Sequence, residues 1–227
     1  MSLVREAARW KSHHYGFTPV ARFLREGCRG SCEIRHFEIS VADSAMTMVR
    51  ASMHPDEFVP PGRYVQLLVA RQIMMSDTLY EQRSNLGAVE NAHGHMLIAG
   101  LGIGMILAPI LQRREVQSVT VLESDPDVIA LVGPSVRKLP GAAARKLSII
   151  PADAFTWMPA RGLRYDAIYF DIWPTASEDN LVEIGKLKRR FAKRLNRSNP
   201  KAWMRAWEEE KLRYRQAQSR RLEADWR

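Results

Sequence analysis

The chain has 227 residues, of which 46% are hydrophobic, and this is enough for one domain with a packed core. It has two cysteines, no run of 18 apolar residues and no apolar segment at its N-terminus, which argues against a disulfide scaffold, a membrane-spanning helix and a signal peptide. We therefore expect a cytoplasmic protein without a membrane partner, and its net charge of +9 leaves acidic partners open.

Residues 1–76 are predicted to form a segment that packs on the rest of the chain. The first 32 residues are expected to be mainly helical, with one helix that begins at Thr18-Pro19 and ends at Gly27. Residues 33–76 are expected to be strands, because apolar residues alternate from Phe37 to Val41 and recur after a turn.

Cys28, Cys32 and His36 follow one another at intervals of four residues. This spacing suggests either a zinc site or a pair of small buried thiols beside a turn. Gly27 and Gly30 interrupt any helix that would align the three side chains. We therefore favour the thiol pair and predict no metal site.

A helix is predicted from Thr78 to about Asn91, because Thr78 and Glu81 match a capping box. Asp77 is open to two interpretations, a helix cap or a polar group at the edge of a binding site. We predict Asp77, Tyr80 and Glu81 as substrate-facing residues.

The centre of the chain is the segment 96–104, Met-Leu-Ile-Ala-Gly-Leu-Gly-Ile-Gly. Its apolar start predicts a buried strand, and three alternating glycines then predict a tight turn that brings the backbone close to a ligand. Residues 105–111 are predicted to be a helix. A strand, a glycine turn and a helix form the first part of a nucleotide-binding βαβ unit.

Three further predicted strands end near an acid: residues 119–123 at Glu123, residues 147–150 before Asp153, and residues 165–171 at Asp171. An acid about 20 residues beyond the first glycine commonly binds ribose hydroxyls in such units, and Glu123 has this position. Since ligands bind at the carboxyl ends of parallel strands, we expect a cleft here.

Asp171 has two interpretations. It can act as a general base or orient a nucleophile, or it can cap the loop that follows. An acid at a strand end in a glycine-lined cleft favours the catalytic role. Trp173, two residues later, is either a lid over the substrate or a core aromatic, and we include it among the substrate residues.

After residue 180 the pattern predicts helices only, over residues 181–195 and from residue 200 to about 214. The sheet is therefore expected to be shortened, with its edge covered by these helices or by a second subunit in a homodimer. Residues 77–180 would be the core and residues 181–227 a basic helical C-terminus.

The C-terminal segment carries all of the excess positive charge. Residues 186–227 contain 15 Lys and Arg but only 5 Asp and Glu. This tail is interpreted as a solvated helix face, a nucleic-acid-binding segment or a surface for an acidic protein. The acids at 208–210 argue against a simple stripe that follows phosphates.

The stretch 96–174 resembles the class I S-adenosylmethionine-dependent methyltransferases, most of all their spermidine-synthase-like branch. Met105 stands where a dinucleotide-binding motif needs its third glycine, which disfavours that alternative. The resemblance implies an α/β fold with a Rossmann-like, mainly parallel sheet, an N-terminal hairpin over the cofactor, and S-adenosyl-L-methionine as that cofactor. The similar segments are 96–104, 119–129, 152–155 and 165–174.

The resemblance also implies roles for individual residues. The glycine loop would pass the methionine part of the cofactor, Glu123 would hold the ribose, and Asp153 with Ala154 would hold the adenine. Asp171 would lie beside the sulfonium and the nucleophile. The implied cofactor-binding residues are Gly100, Leu101, Gly102, Gly104, Glu123, Ser124, Asp153, Ala154 and Asp171.

Two positions depart from the aminopropyltransferases of that branch. Ile103 and Pro174 stand where those enzymes carry acids that hold a polycationic amine. We therefore predict a methyltransferase of unknown substrate. An aminopropyltransferase, or a non-catalytic binding protein on the same fold, are the alternatives.

Overall fold

The computed structural model describes residues 4–5, 15–51, 58–142 and 146–225. A 3₁₀ turn at Val20–Arg22 precedes a four-stranded antiparallel sheet with the order β1-β2-β3-β4. A helix, α1 (Val41–Ala51), connects the second and third of these strands. The strands are β1 (Gly27–Arg29), β2 (Cys32–Ile39), β3 (Gly62–Val69) and β4 (Gln72–Ser76).

The second sheet has five parallel strands in the order β7-β6-β5-β8-β9. The chain runs outward from β5 in one direction and then in the other, so β5 marks the switch point at which such sheets bind ligands. This sheet confirms the predicted α/β fold with a Rossmann-like core. Its strands are β5 (Gly94–Ala99), β6 (Val116–Glu123), β7 (Leu147–Pro151), β8 (Ala167–Phe170) and β9 (Trp203–Ala206).

Helices cover both faces of the parallel sheet. Met96 and Ile98 of β5 belong to one buried cluster with the apolar side of the helix α4 (Pro126–Val136). Leu97 and Ala99 belong to a second cluster with the helix α5 (Asn180–Phe191). Because successive side chains of a strand point to opposite faces, α4 and α5 lie on opposite sides of the sheet. The helices are α2 (Leu79–Glu90), α3 (Leu107–Gln112), α4 (Pro126–Val136), α5 (Asn180–Phe191) and α6 (Glu209–Asp225).

The antiparallel sheet contacts the core through the first turn of α4. The Cys32 thiol donates a hydrogen bond to Asp125 Oδ2 at 3.3 Å, and the Arg29 guanidinium lies 3.2 Å from Asp127 Oδ1. Asp125 also caps α4, because its Oδ1 accepts the backbone N–H of Asp127 at 2.8 Å. Burial and the neighbouring Asp125 raise the pKa of the Cys32 thiol to about 11.

The prediction of a buried thiol pair is correct for one cysteine only, since Cys32 is buried and Cys28 is exposed. Within the described residues, no group of three or more His, Cys, Asp or Glu side chains is placed to bind a metal ion. No helix in the same residues combines the length and apolar character that crossing a membrane requires.

Three local predictions for the chain up to the start of α2 need correction. The expected helix from Thr18 to Gly27 is reduced to the 3₁₀ turn, and β1 begins at Gly27. The strand pattern ends at Ile39, because Ser40 Oγ accepts the Asp43 N–H at 3.1 Å and starts α1. Thr78 precedes α2, but its side chain makes no capping hydrogen bond. The remaining helical prediction at residues 6–14 lies outside the described residues.

The prediction that residues 181–227 are helices only is also wrong. Trp203–Ala206 forms β9, whose Ala206 is the Cα partner of Phe170 in β8. The parallel sheet therefore gains a fifth strand where a second helix was expected. The limits proposed at residues 76 and 180 stay predictions, although β9 shows that the sheet itself extends beyond residue 180.

Candidate active site

A cavity of about 490 Å³ opens at the carboxyl ends of strands β5, β6 and β8, with the loop after β7 on one side. This volume is in the range of pockets that bind small molecules and cofactors. The β3–β4 hairpin forms an apolar wall of the cavity. The hairpin side chains that line it are Leu67, Val69, Met74 and Met75.

The glycine loop leaves no room for a Cβ atom at its first two glycines as the chain is folded. Gly100 has a φ of +100°, and a Cβ there would lie 1.9 Å from the carbonyl oxygen of Asp171. Gly102 has a φ of +50°, and a Cβ there would lie 2.1 Å from the Met75 sulfur. The loop thus packs directly against both the end of β8 and the hairpin.

Glu123 is the acid that organises this loop. Its Oε2 accepts the Leu101 N–H at 2.8 Å, and its Oε1 accepts the Asp125 N–H at 2.9 Å. An ionised carboxylate offers about four acceptor sites, so these two bonds leave capacity for hydroxyl groups of a ligand. Glu123 is partly buried and lines the cavity together with Ser124.

The loop after β7 supplies a second polar group and a small buried residue. Asp153 is exposed, and its Oδ1 accepts the Phe155 N–H at 2.8 Å, which shapes the turn. Ala154 is buried and lines the cavity beside Phe155. An exposed carboxylate beside an apolar surface and an aromatic ring could bind a flat base that carries an amino group.

Asp171 lies at the end of β8, where its backbone N–H donates to the Ala99 carbonyl at 2.8 Å. Burial raises the pKa of its carboxyl group to about 7. Burial also raises the pKa of Glu81 to about 8, with further contributions from the charges of Asp171 and Glu208. Glu81 and Asp171 both line the cavity, so this part of it becomes negatively charged as the two carboxyl groups lose their protons.

The four predicted substrate residues divide into two groups. Glu81 and Trp173 line the cavity, and the Trp173 indole N–H donates to Glu183 at 2.6 Å. Tyr80 is not part of this lining. It lies in a neighbouring cavity, where its ring meets Trp207 edge-on at 6.4 Å between centroids.

The position of Asp77 corrects the prediction that this residue faces a substrate. Its side chain is fully buried outside the cavity lining, and both carboxylate oxygens accept backbone N–H groups. The distances are 3.1 Å from Val20 and 2.6 Å from Val65. Asp77 thus joins the 3₁₀ turn to β3, and we assign it a structural role.

Sequence reasoning missed two residues that line the site and one beside it. Met75 accepts the Ile103 N–H through its sulfur at 3.3 Å and lines the cavity from the hairpin. Trp207 and Glu208 follow β9, so their position depended on finding that strand. Trp207 lines the cavity. Glu208 forms an ion pair with Lys211 at 3.2 Å, and its charge contributes to the raised pKa of Glu81.

No protein-family model matches the chain. A curated relative, polyamine aminopropyltransferase 1 from Streptomyces coelicolor, is 33% identical over 101 residues, which are 43% of this chain. The matched part spans only 19% of that relative's own length.

Solved structures of methyltransferases also match part of the chain. The N-methyltransferase NodS from Bradyrhizobium japonicum matches with a TM-score of 0.35 and 14% identity, over 50% of this chain and 57% of NodS. The glycopeptide N-methyltransferase MtfA, solved with S-adenosyl-L-methionine, matches with a TM-score of 0.38 and 18% identity. That match covers 51% of this chain and 49% of MtfA.

Proposed function

We propose that the chain is an S-adenosylmethionine-dependent methyltransferase. The observation that carries this proposal is the direct packing of the glycine loop on Asp171, with a virtual Gly100 Cβ only 1.9 Å from the Asp171 carbonyl. This contact brings the loop for a nucleotide-like cofactor and an acid for the reaction into one cleft. The substrate class stays open at this point.

The residues of the cleft fit the proposed cofactor. Glu123 has unused acceptor capacity for the two ribose hydroxyls, and the exposed Asp153 can accept from the adenine amino group. The glycine loop allows close backbone approach to the methionine part. When bound, S-adenosyl-L-methionine supplies an activated methyl group on a positively charged sulfur.

Asp171 is suited to hold or move a proton near neutral pH. Because its pKa is raised to about 7, its carboxylate can accept a proton from an incoming nucleophile without being too weak a base. The hairpin contributes an apolar wall to the same cleft. Orientation of the nucleophile beside Asp171 would supply a large part of the rate.

Aminopropyl transfer is the second candidate, and two observations support it. The matched Streptomyces coelicolor relative is named as a polyamine aminopropyltransferase. In addition, Glu81 lines the cleft beside Asp171, and the charge of the nearby Glu208 contributes to its raised pKa, so acids other than those missing at Ile103 and Pro174 lie in or beside the cleft. A non-catalytic protein that keeps the cofactor pocket is the third candidate.

Calorimetric titration separates these candidates. We expect the purified protein to bind S-adenosyl-L-methionine, and not NAD, while a preference for decarboxylated S-adenosylmethionine would favour aminopropyl transfer. Absence of binding to any of the three would overturn the proposed function. Asp171→Asn should bind the cofactor but fail to transfer a tritiated methyl group to pools of small amines, nucleic acid or protein. Asp179→Asn, which changes an exposed acid, should match the unmodified chain in both assays.

Location and assembly stay proposals as well. We propose that the protein is cytoplasmic and forms a homodimer. Light scattering coupled to size-exclusion chromatography would test the dimer, and a monomer at micromolar concentration would contradict it.

A further inference from the structure

A second groove, of about 290 Å³, lies between the loop at 157–164 and the C-terminal part of α5. Hydrogen bonds and a ring contact join its walls. The Arg190 guanidinium donates to the Trp157 carbonyl at 2.9 Å, and that of Arg194 donates to the Ala160 carbonyl at 3.3 Å. The Trp157 ring also stacks on Phe191, with 6.4 Å between centroids and 20° between planes. The groove is therefore a built feature of the fold and not a gap between loose segments.

The groove is strongly positive. Arginine and lysine side chains line both walls, and none of its described lining residues is an acid. The carbonyl oxygens that hold Arg190 and Arg194 are neutral, so they orient these guanidinium groups without cancelling their charge. The lining cations are Arg161, Arg164, Arg190, Lys193 and Arg194.

The sequence next to the groove is also rich in cations, of which Lys188 is paired with Glu209 at 2.6 Å and lines a different cavity. Residues 184–207 contain nine Lys and Arg and no Asp or Glu. Lys186 and Arg190 are four residues apart on α5, and exposed helical side chains at this spacing are neighbours. The positive surface thus continues along α5 beyond the groove.

We propose that this groove binds the phosphate backbone of single-stranded nucleic acid. Arginine forks bind phosphate oxygens with two parallel hydrogen bonds, and a row of cations without neighbouring acids suits a phosphodiester chain. Met158, which lines the groove, is 67% exposed, so the groove also offers an apolar contact for unstacked bases. The inference does not depend on the transferase chemistry.

Two features favour nucleic acid over other anionic partners. The cations lie in a groove with an aromatic floor, whereas a membrane surface would need an exposed apolar helix face beside the charges. An acidic protein would bring its own hydrogen-bonding side chains and would not need exposed apolar side chains next to the cations. The groove also begins close in sequence to the cleft, because Phe155 lines the cleft and Trp157 lines the groove.

The test is fluorescence anisotropy with a labelled single-stranded RNA of 20 nucleotides, without added cofactor. The double variant Arg161→Glu with Lys193→Glu reverses two exposed cations of the groove, one on each wall. At about 0.1 M salt we expect binding to weaken at least about tenfold, and the slope of log affinity against log salt to decrease by roughly 1.4. The RNA affinity of the milder variant Arg161→Gln with Lys193→Gln should lie between those of the unmodified chain and of the double glutamate variant.

Arg137→Glu with Lys138→Glu is the matched control, since it reverses one arginine and one lysine directly after α4. Because α4 covers the opposite face of the sheet, we expect this variant to lose less than about threefold in affinity. Equal loss in both double variants would overturn the proposed groove and indicate an effect of net charge alone.

Two further outcomes would contradict the proposal. Arg220→Glu with Arg221→Glu should change binding little, and a loss confined to this variant would move the site to α6. Polyglutamate at the same charge concentration should compete poorly with the RNA, and strong competition would indicate an acidic protein partner. Failure of cofactor binding in calorimetry would leave the RNA result unaffected, so the two proposals fail separately.

Discussion

Gly100 and Asp171 lie against each other at the ends of two neighbouring parallel strands. The Asp171 N–H donates to Ala99 at 2.8 Å, and the Asp171 carbonyl occupies the space that a side chain at Gly100 would need. The turn after β5 and the end of β8 are therefore one structural unit. A side chain added at Gly100 must therefore displace the backbone of the proposed catalytic acid, Asp171.

Gly100→Ala should destabilise the fold and disturb the cleft. The added methyl group would meet the Asp171 carbonyl at 1.9 Å, and the φ of +100° disfavours any side chain. We expect a loss of about 3 kcal/mol in the free energy of unfolding, measured by urea denaturation, together with weaker cofactor binding.

Gly162→Ala provides the control, because Gly162 has a φ of +85° but nothing within 4 Å of the position that a Cβ atom would take. It reports the backbone strain without the collision and should cost about 1 kcal/mol. Equal stability losses in the two variants would show that the contact with Asp171 is unimportant.

Asp77→Ala tests the structural role assigned to that buried acid. The substitution leaves the N–H groups of Val20 and Val65 without their present acceptor, and each buried unpaired donor costs about 1–3 kcal/mol. We expect the urea midpoint to fall strongly, whereas Asp179→Ala, at an exposed site without a side-chain cap, should change it little. An unchanged midpoint for Asp77→Ala would make Asp77 a candidate substrate residue again.

The central strands and the glycine loop could be predicted because their signals are local and strong. Residues 96–99 are continuously apolar and flanked by glycine, and a strand buried on both faces requires this composition. Glu123, Asp153 and Ser124 follow from the strand ends, since parallel strands gather these positions at one edge. The chain between residues 40 and 43 also carried a usable signal, a serine three residues before an acid, which marks the start of α1.

The last strand and part of the site could not be predicted in this way. Trp203–Ala206 has only four residues, and tryptophan, methionine, arginine and alanine are all compatible with a helix. Its strand conformation comes from pairing with β8, a tertiary contact between distant segments. Trp207 reaches the cleft, and Glu208 the cavity beside it, only because of that pairing, so the local sequence pattern could not indicate their positions.

The raised pKa values of Asp171 and Glu81 predict how stability depends on pH. Both carboxyl groups bind protons more tightly in the folded chain than when unfolded, with pKa values of about 7 and 8 against ordinary values of 3.8 and 4.5. Their stabilising contribution is complete below about pH 4 and is lost as the pH rises through 7 and 8.

Asp171→Asn and Glu81→Gln remove this dependence one group at a time. The difference in the free energy of unfolding between each variant and the unmodified chain should shift in favour of the variant by on the order of 2 kcal/mol from pH 5 to pH 9. Denaturation at both pH values measures this difference. Asp179→Asn should show no such gain. A stability difference that is the same at both pH values would mean that the carboxyl groups titrate normally.

The same carboxyl groups predict proton release when a cationic cofactor binds. A positive sulfur beside Asp171 would favour its ionised form, so binding near pH 7 should release about half a proton to one proton. Calorimetry in buffers with different ionisation enthalpies measures this number directly. At pH 9 the release should fall, because the groups are already ionised, and the affinity should be higher than at pH 6.

S-adenosylhomocysteine is the matched ligand for this experiment, since it has the same amino acid and adenosine parts but a neutral sulfur. Its binding should release fewer protons than that of S-adenosylmethionine, and Asp171→Asn should remove most of the difference between the two ligands. Equal release by both ligands would mean that the sulfur does not bind beside Asp171, and the catalytic role of that residue would then have to be assigned elsewhere in the cleft. Glu81 would become the first alternative, because its carboxyl group lines the same cavity and also titrates near neutral pH.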